Sequence, residues 1–438
     1  MMCLSRPMAR QQGQALVLVL ILMGVLALAF LRYFQAGQMV AAKSRQLHAL
    51  DAASYSAALV QAKVMNLLSY LNRAQAGHQV AMAHLTALGA WAMFGQTQAG
   101  QLLQGNPPVH LIGMQFGIKY GQAYASSRAL AGQGRMLYDA LMQAHQAHDR
   151  KVRQVLQALQ TQLVVALPAA RMQALRQVLE RNYGVAALPE GTRLEIRNDG
   201  WPGYLARQSG TRLLPFLDEL AGLYAFLSPR NETRKNPWPV SSRCPWRRHE
   251  LRRRGDTRLD ASGHWQSQDT LSFHALRSNR WIGCYFREYP MAWAWIPESG
   301  GAADGIEHVE DPPEDFSEQD FWRWVQERTD WNIFSGSNNP LANSRAVAAR
   351  TVWSGMGLGF HYDVSAAHRR RELTFDTYLG MPGRGGQIVH AASAARTFFS
   401  LPPAARSLDT AQALPHHHLF HPYWQAALAS PSDGGGMP

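Results

Sequence analysis

The stretch Gln14–Leu31 reads QALVLVLILMGVLALAFL, carries no charge and is apolar after Gln14. A helix crosses a bilayer with about 20 mostly apolar residues, in a range of roughly 17–25, so this run is long enough. A core helix of a soluble domain has no need of such a run without a polar face. The expectation is a single transmembrane anchor, with residues 1–34 forming a short basic tail and the span. Arg6 and Arg10 precede the span and Arg32, Lys43 and Arg45 follow it, so flanking charge is nearly balanced. A short tail stays in the cytoplasm more easily than it crosses, and a large domain crosses whatever its charge; N-in, C-out is the expected topology. The competing reading is a cleaved signal peptide, with Ala27-Leu28-Ala29 as the small-x-small site and Phe30 as the mature terminus. The length of the run, and the absence of a turn signal after it, favour a retained anchor.

Beyond the span, residues 35–95 hold no proline and are rich in Ala, Gln, Leu and Met, mostly good helix formers. Leu47, Leu50, Ala57, Val64, Leu68 and Leu71 recur at heptad-like spacing, which predicts one long helix leaving the membrane. Asn106-Pro107-Pro108 should end it. A second helix is expected from about Met114 to Leu167, with Leu137, Leu141, His145, Val152, Leu156, Leu159 and Leu163 on one face. Pro168 suits the first turn of a third helix ending near Tyr183-Gly184. A helical hairpin or small bundle over residues 35–187 is the simplest stalk.

Composition shifts near Leu188 toward Trp, Tyr, Pro, Arg and Asp. Arg193–Arg197 alternates as a half-buried strand does. Thr257–Leu276 reads as a hairpin turning at Ser262-Gly263, Trp281–Ile296 as one or two aromatic-rich strands, and Thr351–Val364 as strand. Phe321–Arg328 suits a short helix introduced by Ser317. The fold class expected is therefore α+β: an anchor, a helical stalk, a mixed head over residues 188–430 and a low-complexity tail at 431–438.

Charge sharpens this division. The chain has 438 residues and a formal net charge of +12. Residues 1–190 carry 16 Lys+Arg against 5 Asp+Glu, a net of +11, while residues 191–438 carry 27 against 26, a net of +1. The head is nearly neutral but polarised. Residues 229–258 hold ten basic residues and three acids, with Trp238 and Trp246 interleaved; residues 298–330 hold eleven acids and two arginines. Arg247, Arg248, Arg252, Arg253 and Arg254 form a candidate interaction patch. The near-zero head charge makes nucleic acid the weaker partner for it, and solvated or mutually facing loops the plainer reading.

Cys244 and Cys284, 40 residues apart, could close a disulfide in an oxidising compartment, contributing about 3–4 kcal/mol under the chain-entropy account. The histidines at 416, 417, 418 and 421 lack nearby Cys or carboxylate partners at metal-site spacing, and the pair His145 and His148, one helical turn apart, is likewise not read as a metal site. The glycines at 355, 357 and 359 and at 383, 385 and 386 do not complete a phosphate-binding motif and read as bends. No GxSxG element is present. Neither a catalytic residue, a cofactor, a metal nor a small-molecule substrate is legible.

Gly13-Gln14-Ala15-Leu16-Val17, the apolar span, Ala41–Leu47 and Asp51-Ala52-Ala53-Ser54-Tyr55-Ser56-Ala57 together resemble the N-terminal anchor of TadG-like proteins of tight-adherence (Flp) pilus assembly. The likeness covers residues 10–60. Leu419–Ala426 resembles a closing N-P-Y-W-Q-A motif of that family, with His421 in place of Asn. Leu18 stands where related pseudopilins carry a glutamate, which argues against prepilin-type cleavage after Gly13. The resemblance implies an inner-membrane, periplasm-facing component that contacts other pilus-assembly proteins and is not an enzyme. The alternative is a secreted or anchored periplasmic hydrolase.

Overall fold

A computed structural model describes residues 14–260, 263–279, 283–296, 357–365, 372–383, 387–402 and 419–432. The architecture is mixed α+β, with one very long N-terminal helix followed by antiparallel sheets. Helix α1 runs unbroken over Gln14–Gln104. It ends at Gly105, whose φ of +66° favours glycine, just before Asn106-Pro107. Short helices α2 (Val109–Phe116) and α3 (Ile118–Ser126) follow. Helix α4 (Gln133–Tyr183) then packs along α1.

Three expectations for the helices are corrected. The stretch from Met114 is not one helix, because the chain turns at Gly117 (φ +106°) and again at Gly132 (φ +77°). Gly134 then presses against α1: a Cβ there would lie 2.7 Å from the Ala92 carbonyl oxygen. Pro168 does not begin a new helix but lies inside α4. Buried Leu167 and Arg171 flank it, so packing on both sides holds the helix through the lost hydrogen bond. The third correction concerns the buried stripe of α4. Leu137 and Leu159 are exposed, whereas Tyr138, His145, Asp149, Arg153, Gln160, Leu167, Arg171, Leu175 and Leu179 are buried. Gly184 closes α4 as foreseen: its N–H and that of Val185 donate to the Arg181 and Glu180 carbonyls.

Sheet one has the order β1 (Arg193–Arg197), β8 (Glu372–Pro382), β9 (Ile388–Phe399), β10 (Trp424–Ala429). Sheet two has the order β3 (Glu232–Lys235), β4 (Glu250–Leu259), β5 (Trp265–Asn279), β6 (Gly283–Ile296). A small pair joins β2 (Leu205–Gln208) to β7 (His361–Val364). A short helix α5 covers Leu214–Ala221. The predicted strand at Arg193–Arg197 is β1, the hairpin is β4–β5 with Leu259 opposite Trp265, and the aromatic stretch is the single strand β6. The expected helix near Phe321, the acidic run, Gly355, His416–His418 and the end of the tail lie outside the described residues.

Both larger sheets pack on α1. Ala49, Leu50, Ala53, Ala57 and Ala58 share a core with Leu175 and Leu179 of α4 and with Phe375, Leu379, Ala391 and Ala395 of sheet one. Farther along, Ala90, Ala92 and Phe94 share one with Tyr138 and with Ala292, Ala294 and Ile296 of β6. The alanine face lets the strands approach the helix closely, and the same hydrophobic cores run across residue 188.

Candidate functional site

The first candidate surface is the free end of α1. Every residue from Ala15 to Arg45 is exposed, and Gln46 is the first buried one. Leu16 through Leu31 therefore present an apolar cylinder that none of the described residues covers, and the helix is long and apolar enough to cross a membrane.

From Gln46 onward the same helix becomes a polar anchor line for the strands. Gln46 Nε2 donates to the Leu379 and Val389 carbonyls at 3.1 and 2.9 Å. Ser393 donates to Asp51 at 2.6 Å, and the Ser54 and Thr377 hydroxyls meet at 2.5 Å. Asn72 Nδ2 donates to the Tyr362 and Leu419 carbonyls at 2.9 and 2.7 Å. Thr97 donates to the Trp293 carbonyl at 2.7 Å and accepts from its N–H at 2.9 Å. The Asp51–Ser54 segment of α1 thus bonds to sheet one, and Leu419, at the start of the other segment singled out in the sequence, bonds to the same helix through Asn72.

The histidines are part of buried networks. His78 Nε2 lies 3.0 Å from Asp149 Oδ1, Arg153 donates to the same oxygen at 3.0 Å, and His148 stacks on His78 at 5.1 Å. Burial lowers the His145 pKa, with Asp149 opposing and His78 and His148 reinforcing the shift. Arg153 also reaches the Gly357 carbonyl. No group of three or more His, Cys, Asp or Glu placed to hold a metal occurs among the described residues. His421 stacks on Tyr423, with ring centroids 6.1 Å apart.

A second cluster lies in sheet two, and the sequence reading did not find it. The Ser272 hydroxyl is 3.1 Å from His274 Nε2, and Glu288 Oε1 is 3.7 Å from that same nitrogen. Burial pushes His274 well below its ordinary value, so it is neutral near pH 7. A nucleophile–base–acid relay needs the acid on the opposite ring nitrogen. Here serine and glutamate converge on one nitrogen, and Nδ1 has no partner among the described residues. This array does not form such a relay. Its only sequence trace was the S-x-H alternation of β5.

The arginine cluster divides. Arg252, Arg253 and Arg254 belong to strand β4. Arg252 pairs with Glu250 at 2.8 Å and Arg253 with buried Asp269 at 3.1 Å. Arg254 donates to the Glu232 carbonyl at 3.0 Å and to Thr233 at 2.9 Å. These three side chains are tied into the sheet. Arg247 and Arg248 lie on the loop between β3 and β4, where Arg248 donates to the Pro245 and Arg247 carbonyls and Arg247 sits over the Phe286 ring.

Cys244 and Cys284 are joined by a disulfide, with Cα atoms 6.1 Å apart, which ties this loop to the start of β6. Trp238 and Trp246, 49% and 68% exposed, project from the loop, and residues 236–249 contain three arginines and no acid. Exposed tryptophans on a covalently pinned, basic loop have the composition of a protein-contact surface. In comparisons with known proteins, no family model, no curated protein and no solved structure matches this chain.

Proposed function

We propose that this chain is a membrane-anchored structural or assembly component of a Tad/Flp-type pilus or secretion machine, acting through protein–protein contacts in the periplasm. The observation that carries the reading is α1 itself: one helix whose first part is apolar and, among the described residues, uncovered, and whose remainder is the spine of the folded body. Such a helix couples a bilayer rigidly to a body, as a positioning element requires. The disulfide fits an oxidising compartment and hence a body outside the cytoplasm. The anchor-like residues 10–60 supply the likeness to TadG-like proteins.

The geometry adds a scale. Gln46 lies fourteen residues past Arg32, which places the start of the body about 21 Å along the helix axis from the span. Thr97, which holds sheet two, lies about 100 Å along that axis. The disulfide-pinned loop belongs to this sheet, so the arginines and tryptophans it carries sit at the membrane-distal end, suited to a protein partner rather than the anchor's own bilayer.

Protease protection on spheroplasts, with the N-terminus read by mass, tests the reading. The body should be digested in intact spheroplasts while a fragment retaining Gln14–Leu31 stays with the membrane. A protected body would overturn the topology, and a mature terminus at Phe30 would favour the secreted hydrolase instead.

A further inference from the structure

A cavity of about 260 Å³ lies between α1, the α2–α3 pair and strands β3–β6. Its apolar wall is made by Phe94, Ile112, Leu251, Leu271 and Met291. Glu232 and Arg234 of edge strand β3 line it as an oppositely charged pair, and Arg253 of β4 lines it as well.

Glu232 is the cross-strand partner of Arg253, and with Arg230, Arg234 and Arg253 set against Glu232 and Asp269 the surroundings of the cavity carry one positive charge in excess. Asp269 is fully buried, and Arg230 already grips both of its oxygens, Nε to Oδ1 and Nη2 to Oδ2, each at 2.9 Å. Arg253 adds a third contact to that carboxylate at 3.1 Å. One carboxylate between two guanidiniums leaves one positive charge in excess. The Arg253 guanidinium lies 4.6 Å from the Phe94 ring centroid, at the apolar wall. The Tyr124 side chain, buried in the wall, has a hydroxyl without a hydrogen-bond partner among the described residues. Ligand pockets combine an apolar wall with a few placed polar groups in this way.

We infer that this cavity binds a small amphipathic carboxylate, its apolar body against Ile112, Leu251, Leu271 and Met291 and its carboxylate on Arg253. The inference rests on the cavity alone and does not depend on membrane anchoring or on pilus assembly. A carboxylate supplies the missing countercharge through a charge-assisted hydrogen bond. An amine of the same shape would add a second positive charge.

The test is calorimetric titration of the full chain in lipid nanodiscs, with empty nanodiscs subtracted, using 3-phenylpropanoate and 3-phenylpropylamine as probes. The carboxylate should bind at least about tenfold more tightly than the amine. Arg253→Met should abolish that preference, and the fold is preserved because Arg230 still pairs with Asp269. Ala123→Trp, at an exposed position on the cavity edge, should abolish binding of the carboxylate while leaving the circular dichroism spectrum and melting curve unchanged. Equal binding of the two probes, no binding of either, or undiminished binding by Ala123→Trp would each overturn the inference.

Discussion

Asn66 and Trp424 exchange a matched pair of hydrogen bonds: Asn66 Nδ2 donates to the Trp424 carbonyl at 3.0 Å, and the Trp424 N–H donates to Asn66 Oδ1 at 2.8 Å. The amide of a helix residue thereby takes the place of a neighbouring strand at the start of β10. The Trp424 ring is buried beside Tyr204 and Phe399. Asn66→Leu should lower stability by about 2–3 kcal/mol, since it strands two backbone groups at once. Thermal unfolding of the full chain in detergent, followed by near-ultraviolet circular dichroism, checks this; a change within experimental error would show that water replaces the amide.

Arg171 is fully buried, donates to Gln61 at 2.8 Å and holds Asp199 with both terminal nitrogens, one of these contacts at 3.0 Å. Its guanidinium also lies 5.1 Å from the Phe375 ring. Arg171→Met should cost about 3–5 kcal/mol, because Asp199 loses its partner. Arg171→Lys should rescue little of this, since an ammonium cannot make the two-pronged contact. Denaturant titration of both variants gives the comparison.

Reduction of the Cys244–Cys284 bridge should destabilise the protein by about 3–4 kcal/mol, the entropy of a loop closed across 40 residues. Its readout is the shift in melting temperature with reductant. Cys244→Ser/Cys284→Ser should reproduce the shift and make it insensitive to reductant. Two thiols alkylated in the native, unreduced protein would contradict the bridge.

Acid should weaken the fold in a defined window. Burial, helped by Arg212, lowers the His361 pKa from 6.5 to about 4. His145, His249 and His274 are lowered too, each first by burial. Between these values the unfolded chain binds more protons than the folded one, so stability is full above pH 6.5 and is lost as pH falls toward 4. Asp363 opposes this: burial raises it from 3.8 to about 6, so its own contribution falls as pH rises through that range. Among the described residues His361 is shifted slightly further than Asp363, and His145, His249 and His274 act in its direction, so the net slope follows the histidines. His361→Gln should remove about 3 kcal/mol of the acid loss, read from melting temperatures between pH 7 and 4.

Local patterns were legible where burial follows from the chain's own periodicity. The apolar run at Gln14–Leu31, the alternation at Arg193–Arg197, the β4–β5 turn and the Gly184 stop are of this kind. Each is decided by residues within a few positions of one another.

The candidate site was legible only in part. The cysteine pair and the arginine run were visible as residues, but nothing local separates Arg253, drawn to Asp269, from Arg248, held by its own loop. Likewise, His274 sits beside Glu288 only because β5 and β6 bring them together.

A long helix with an apolar end and a strand-rich remainder follow from the order of residues alone, because helix propensity and hydrophobic period are local properties. That α4 buries His145, Asp149, Arg153, Gln160 and Arg171 and continues through Pro168 emerges only once the chain is folded. A polar side chain can be buried only when a partner meets it. Here several of those partners stand tens of positions away, as His78 does for Asp149, Asn72 for Gln160 and Asp199 for Arg171.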